Sequence, residues 1–161
     1  MTLWWNFYKI KLSNIKKHHY LNKKSSIIKI YSNIEVNNNQ PDFHNRQYDM
    51  GYFGYIRPDK GLEDYIATAE RIQKENPNFR ACIMGQTQDE YSFYHQPLLK
   101  SIKNSNIILL LNKSNQEVSD ILSQTKIAYL PYPDGLTERR GSFLATLLHN
   151  CIVATTKGNF T

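Results

Sequence analysis

From Asp49 onward, short apolar runs alternate with amphipathic stretches, a pattern that predicts strands and helices in turn. Strands are expected at Gly51–Gly54, Phe79–Met84, Ile107–Leu111, Ile127–Leu130 and Cys151–Thr155. Between them, Leu62, Tyr65, Ile66, Ala69 and Ile72 fall at the three-and-four spacing of one buried helical face, which stops before Asn76-Pro77. Val118, Ile121 and Leu122 repeat that spacing behind Ser114 and Glu117, which are placed as a capping box. A helix from Tyr91 to about Lys103 must take Pro97 near its start or kink there, and Ser142–His149 makes a short apolar fourth helix. Strands that are apolar throughout need cover on both sides. The expected fold is therefore α/β, a Rossmann-like parallel sheet with helices on both faces.

Ahead of this regular region the pattern changes. Residues 1–31 are basic and aromatic, with one short apolar stretch of strand character at Ile27, Ile28 and Ile30. Residues 32–48 include Asn37, Asn38, Asn39, Gln40, Pro41 and Asp42, which favour turns over ladders. The natural division is a leader and linker over 1–48 and a folded domain over 49–161.

Composition narrows the class. A chain of 161 residues, 40% hydrophobic and 12% aromatic, suffices for one globular core. Its longest apolar run, Ile107–Leu111, is too short to cross a bilayer, and Met1–Tyr8 lacks the apolar core and cleavage site of a signal peptide. A cytoplasmic location is expected. Cys82 and Cys151 sit in apolar runs without a Cys or His at ligand spacing, so they read as reduced core residues and no metal site is expected. The net charge of +6 is uneven: no acid occurs from Met1 to Ile34, where lysines from Lys9 to Lys29 interleave with Trp4, Trp5, Phe7, Tyr8 and Tyr20. Such a stretch suits anionic lipid or nucleic acid. It has no clear helical period, however, so a solvated leader or the remnant of an upstream domain is preferred, with peripheral membrane contact as the alternative and no nucleic-acid partner.

Two loops carry candidate chemistry. In Gly54-Tyr55-Ile56-Arg57-Pro58-Asp59-Lys60-Gly61 an apolar strand breaks into a glycine-flanked turn with two cations, ahead of a helix whose first turn offers unpaired N–H groups. In Pro131-Tyr132-Pro133-Asp134-Gly135-Leu136-Thr137-Glu138-Arg139-Arg140-Gly141-Ser142 another strand turns and delivers Glu138, Arg139 and Arg140 to a helix start, where anions are favoured. Either loop alone reads equally as a solvated surface connection, with Glu138 pairing an arginine. Both follow strands of one parallel sheet, so both fall at its carboxyl edge, where ligands of such sheets lie.

From Tyr52 to Thr156 the chain resembles the C-terminal, donor-binding domain of family 4 (group 1) glycosyltransferases, which have the GT-B architecture. The resemblance rests on Phe53 through Gly61, Cys82-Ile83-Met84-Gly85, Glu117 through Pro131, and Asp134 through Asn150, in matching order. It implies transfer of a sugar from a nucleotide-sugar donor, with retention and without a bound metal or other cofactor, to a polysaccharide, glycan or lipid-linked acceptor. By the same resemblance, Lys60 and Glu138 are the catalytic candidates, and the chemistry of the two loops adds Gly54, Arg57, Arg139, Arg140, Gly141 and Ser142, with Lys60, as residues that hold the donor. The family's arginine directly after the glycine is Tyr55 here, with Arg57 two residues on as the substitute. Its second glutamate, eight positions after the first, is missing: Ala145 and Thr146 occupy the expected places.

The 48 residues before the regular pattern are too few for an acceptor domain, and the strand near Thr161 is followed by no further helices. The chain thus reads as the donor half of a transferase, incomplete at both ends and inactive without an acceptor domain, which a separate chain would supply. The alternatives are a non-catalytic nucleotide-sugar-binding relic or a subunit of a split enzyme and, more remotely, a protein working through its basic surface.

Overall fold

The computed structural model describes residues 31–37, 39–137 and 139–159. Among the described residues five strands form one parallel sheet: β1 (Tyr48–Tyr55), β2 (Ala81–Gln86), β3 (Ile107–Leu111), β4 (Thr125–Leu130) and β5 (Ile152–Thr155). Their order across the sheet is β3-β2-β1-β4-β5. Ile83 pairs with Tyr52 on one side and Leu109 on the other, while Ala128 joins Gly51 to Val153. The chain thus winds outward from β1 in one direction, returns, and winds outward in the other. The strand expected to begin at Phe79 starts two residues later because Asn76 and Phe79 close a turn, the Phe79 N–H donating to the Asn76 carbonyl at 3.0 Å.

Among the described residues four α-helices cover the sheet: α1 (Leu62–Glu75), α2 (Ser92–Ser101), α3 (Asn115–Ser123) and α4 (Gly141–Leu148). Successive residues of β2 show why both faces need cover. Ala81 and Ile83 join a core with Leu62, Tyr65, Ile66 and Ala69 of α1 and with Leu98 and Leu99 of α2. Cys82 and Met84 point the opposite way, into a core with Val118 and Leu122 of α3 and Ala145 of α4. Pro97 lies inside α2, which short 3-10 turns at Asp89–Tyr91 and Ile102–Asn104 bracket. The capping box forms as expected: the Glu117 N–H donates to Ser114 Oγ and the Ser114 N–H to the Glu117 carboxylate. Cys82 and Cys151 are buried and unpaired, and burial pushes their thiols up to about 12 and 11, so neither is a thiolate at neutral pH.

The segment before β1 packs onto this domain. Ile34 is buried beside Tyr48 and Val118, and the Glu35 carbonyl accepts from Ser119 Oγ at 2.7 Å. Arg46 is buried as well, donating to the Thr125 and Asn150 carbonyls at 2.8 and 3.1 Å. The stretch Ile27–Ile30 and the basic leader lie outside the described residues.

At the outer strands the cover thins. Leu109 of β3 and Ile152 of β5 are exposed, as are Leu147 and Leu148 at the end of α4. Among the described residues no helix is long and apolar enough to cross a membrane.

Candidate functional site

Two loops meet where the winding of the sheet reverses, between β1 and β4. Gly61 takes the left-handed conformation, φ +72°, and abuts the chain after β4 so closely that a Cβ there would lie 1.7 Å from the Pro131 carbonyl oxygen. The turn after β1 and the loop after β4 are thereby locked together. Beneath them, the buried Tyr52 hydroxyl lies 3.3 Å from the carbonyls of both Tyr55 and Lys60, bracing the turn that carries Arg57. Burial raises the Tyr52 phenol above its ordinary range, so it stays a neutral donor.

A cavity of about 320 Å³ opens at this place, beyond the carboxyl ends of the strands. Gly54, Tyr55, Arg57 and Lys60 line it from the turn after β1, and Arg139, Arg140, Gly141 and Ser142 from the approach to α4. Both sequence-derived loops thus face one cleft, and every candidate except Glu138 lies in its wall. Glu138 is outside the described residues.

The electrostatics are one-sided. Burial lowers the pKa of Lys60 first, and the charges of Arg57 and Arg140 beside it lower it further. Among the described residues no carboxylate forms an ion pair with Arg57, Lys60 or Arg139; Arg140 is paired with Asp134. Arg57 lies 5.8 Å from the ring centroid of Tyr55 and 6.0 Å from that of Tyr91. Tyr55 therefore flanks Arg57, the cation expected to substitute for the family's arginine. Arg140 stacks at 4.2 Å over the Tyr132 ring, whose hydroxyl is 2.6 Å from Ser142 Oγ.

One expectation about backbone donors changes. The first turn of α1 does not line the cleft: Leu62 is buried, Gly61 is spent on Pro131, and Glu63 and Asp64 make that helix start acidic. The helix start that does face the cavity is that of α4, at Gly141 and Ser142, where among the described residues no acid or side-chain cap intervenes.

The other end of the cleft was not anticipated. Gly85 and Gln86 after β2, Leu110, Lys113 and Asn115 around the end of β3, and Asn33 and Ile34 from the linker complete the wall. The carboxyl-edge rule pointed to the residues after β2 and β3. Asn33, in a stretch that resembles the family's entry into this domain, was not singled out as a cleft residue. Lys113 and Ser114 hold the exposed Glu117 carboxyl down to about 2, fixing this rim. The places of the second glutamate are filled from inside: Ala145 and Thr146 are fully buried, and Thr146 Oγ1 donates to the Phe143 carbonyl at 2.9 Å. Among the described residues no three His, Cys, Asp or Glu side chains gather as metal ligands.

Comparison with known proteins gives a consistent answer. The profile of the family described as "Glycosyl transferases group 1" matches residues 33–138. The C-terminal domain of LpcC, a glycosyl transferase group 1 family protein from Francisella tularensis, superposes with a TM-score of 0.57 at 19% identity, over 76% of this chain and 67% of that one. A TarM variant from S. aureus, solved with fondaparinux, alpha-GlcNAc-glycerol and UDP, superposes with a TM-score of 0.56 at 16% identity, over 88% of this chain and 28% of that one. This chain thus corresponds to little more than a quarter of the TarM chain. No curated protein matches significantly.

Proposed function

The chain belongs to the group 1 glycosyl transferases, and we propose that its cleft binds the nucleotide-sugar donor of a retaining, metal-independent sugar transfer. The observation that carries this reading is the convergence of Arg57, Lys60, Arg139, Arg140 and the start of α4 on one cavity. A departing diphosphate develops negative charge, and fixed cations and backbone N–H groups stabilise it without reorganising. In this reading Lys60 and Arg57 hold the diphosphate from one loop. Arg139, Arg140 and the N–H groups of Gly141 and Ser142 hold it from the other. Glu138 contacts the sugar, and the half of the cleft lined by Gln86, Lys113 and Asn115 takes the nucleoside. The acceptor, a glycan or lipid-linked sugar, is met by a further domain or a separate chain at the cytoplasmic face.

A second reading has one observation in its favour. With Ala145 and Thr146 packed into the core where the family resemblance implies a glutamate, the cleft holds a donor without catalysing transfer.

Calorimetric titration of the full chain with nucleoside diphosphates and the matching nucleotide sugars tests the assignment. Charge-assisted contacts to phosphate are worth about 1.5–3 kcal/mol each, so Lys60→Ala and Arg57→Ala should each weaken the diphosphate at least tenfold. Glu138→Gln should weaken the nucleotide sugar more than the bare diphosphate. Wild-type affinity in both cation variants would remove the phosphate assignment, and equal losses in Glu138→Gln would remove the sugar contact.

A further inference from the structure

We propose that Asp134, which does not itself line the cleft, is the positioning residue for Arg140 and thereby sets the strength of phosphate binding; the inference rests on the donor-cleft reading above. Arg140 is partly buried beside the other cations of the cleft. It lies near enough to Lys60 to lower that lysine's proton affinity, so an unsupported guanidinium would be driven outward to solvent. Two contacts oppose this. One face of the guanidinium rests on the Tyr132 ring, 4.2 Å from its centroid, and Nη2 donates to the Asp134 carboxylate. These use one nitrogen and one face. Among the described residues nothing else takes up the guanidinium, so its remaining donors can meet a ligand in the cavity that Arg140 lines.

Asp134 is itself held. It occupies a tight turn in which the Gly135 N–H donates to the Tyr132 carbonyl at 3.0 Å and Gly135 adopts φ +86°. Behind it the chain returns so closely that a Cβ on Gly158 would lie 2.4 Å from the Asp134 carbonyl carbon. Arg140 is therefore clamped to a rigid turn from outside the cavity. A long, flexible side chain gives up much of its rotamer freedom there before a ligand arrives, which is what preorganisation requires.

The two roles available to an acid beside a phosphate site predict opposite signs. If Asp134 acts only as a charge, its neutralisation strengthens anion binding. If it positions Arg140, neutralisation weakens binding even though a negative charge has gone.

The full chain is titrated by calorimetry with uridine diphosphate and guanosine diphosphate, using wild type, Asp134→Asn, Asp134→Glu, Arg140→Ala and the Asp134→Asn, Arg140→Ala double variant, with a thermal melt of each. For whichever diphosphate binds, Asp134→Asn should lose about tenfold in affinity and Asp134→Glu should recover part of it. In the Arg140→Ala background Asp134→Asn should have no further effect, because the residue acts through the arginine. Arg140→Lys provides an independent route should Asp134→Asn not fold. It keeps the charge but has no planar fork to hold both Asp134 and a phosphate, so it should also lose about tenfold. Unchanged or tighter binding in Asp134→Asn, an undiminished loss in the Arg140→Ala background, or wild-type affinity in Arg140→Lys would overturn the inference while leaving the donor site standing. A wild-type chain that binds neither diphosphate would overturn both.

Discussion

Replacing Gly61 with alanine tests the lock between the two loops of the cleft. A residue with a side chain at φ +72° costs about 1–2 kcal/mol in the left-handed region. The added methyl would also meet the Pro131 carbonyl oxygen at 1.7 Å and its carbon at 2.7 Å, both backbone atoms that cannot rotate away. Relief requires the turn after β1 and the loop after β4 to part by roughly 1.5 Å, and overpacking of this kind costs about 1–3 kcal/mol. The sum is about 2–5 kcal/mol, which for a domain of this size corresponds to a fall in Tm of about 5–15 °C. Gly141→Ala is the matched control, since nothing lies within 4 Å of its virtual Cβ and the residue begins a helix. It should leave Tm unchanged or raise it slightly, by up to about 1 kcal/mol of stability. Thermal and urea denaturation followed by circular dichroism measures both. A Gly61→Ala melt within about 2 °C of wild type would show that the loops are not locked as described.

Two further outcomes follow from the site's electrostatics and from a helix start. Because burial and neighbouring arginines lower the pKa of Lys60, its charge is lost below the ordinary lysine value of 10.5 as pH rises. A diphosphate favours the charged form, so affinity should fall across alkaline pH with proton uptake on binding, and this dependence should vanish in Lys60→Ala; a pH-independent wild-type affinity up to the ordinary lysine range would refute it. Ser114→Ala removes the cap of α3 and should cost about 1 kcal/mol in urea denaturation. In the same variant the Glu117 carboxyl, held to about 2 in wild type by Lys113 and Ser114, should titrate closer to its ordinary 4.5 by NMR, and an unmoved midpoint would deny the capping box.

What was legible in the sequence was local or periodic. The Ser114–Glu117 box spans one turn, and the buried face of α1 repeats along one helix, so both are written in neighbouring residues. The parallel sheet follows from strands apolar on both sides, and the placement of both cationic loops at one edge follows from the sheet. Contacts between segments distant in sequence were not legible. The closeness of Gly61 to Pro131 depends on how the turn and the loop dock. The acid that pairs with Arg140 is Asp134, brought round by the turn at Gly135, and Arg46 reads as a linker charge until Thr125 and Asn150 close over it. Asn33 reaches the cleft only because Ile34 is buried beside it, which no pattern in a polar linker announces.

The strand order also dictates when the cleft comes into being. β1 is the first of the described strands to be made, yet it pairs with β4 as well as β2, and Tyr48 cannot meet Thr125 until the whole segment between them exists. Closing so long a loop is slow, and sheets of this kind fold late relative to local helices. Arg57 and Lys60 emerge early on a half-sheet, whereas Arg139, Arg140 and the start of α4 arrive only after the last central pairing is complete. During synthesis, then, the cations of the first loop stand alone, and the cleft has its full set of cations only once β4 and α4 are in place.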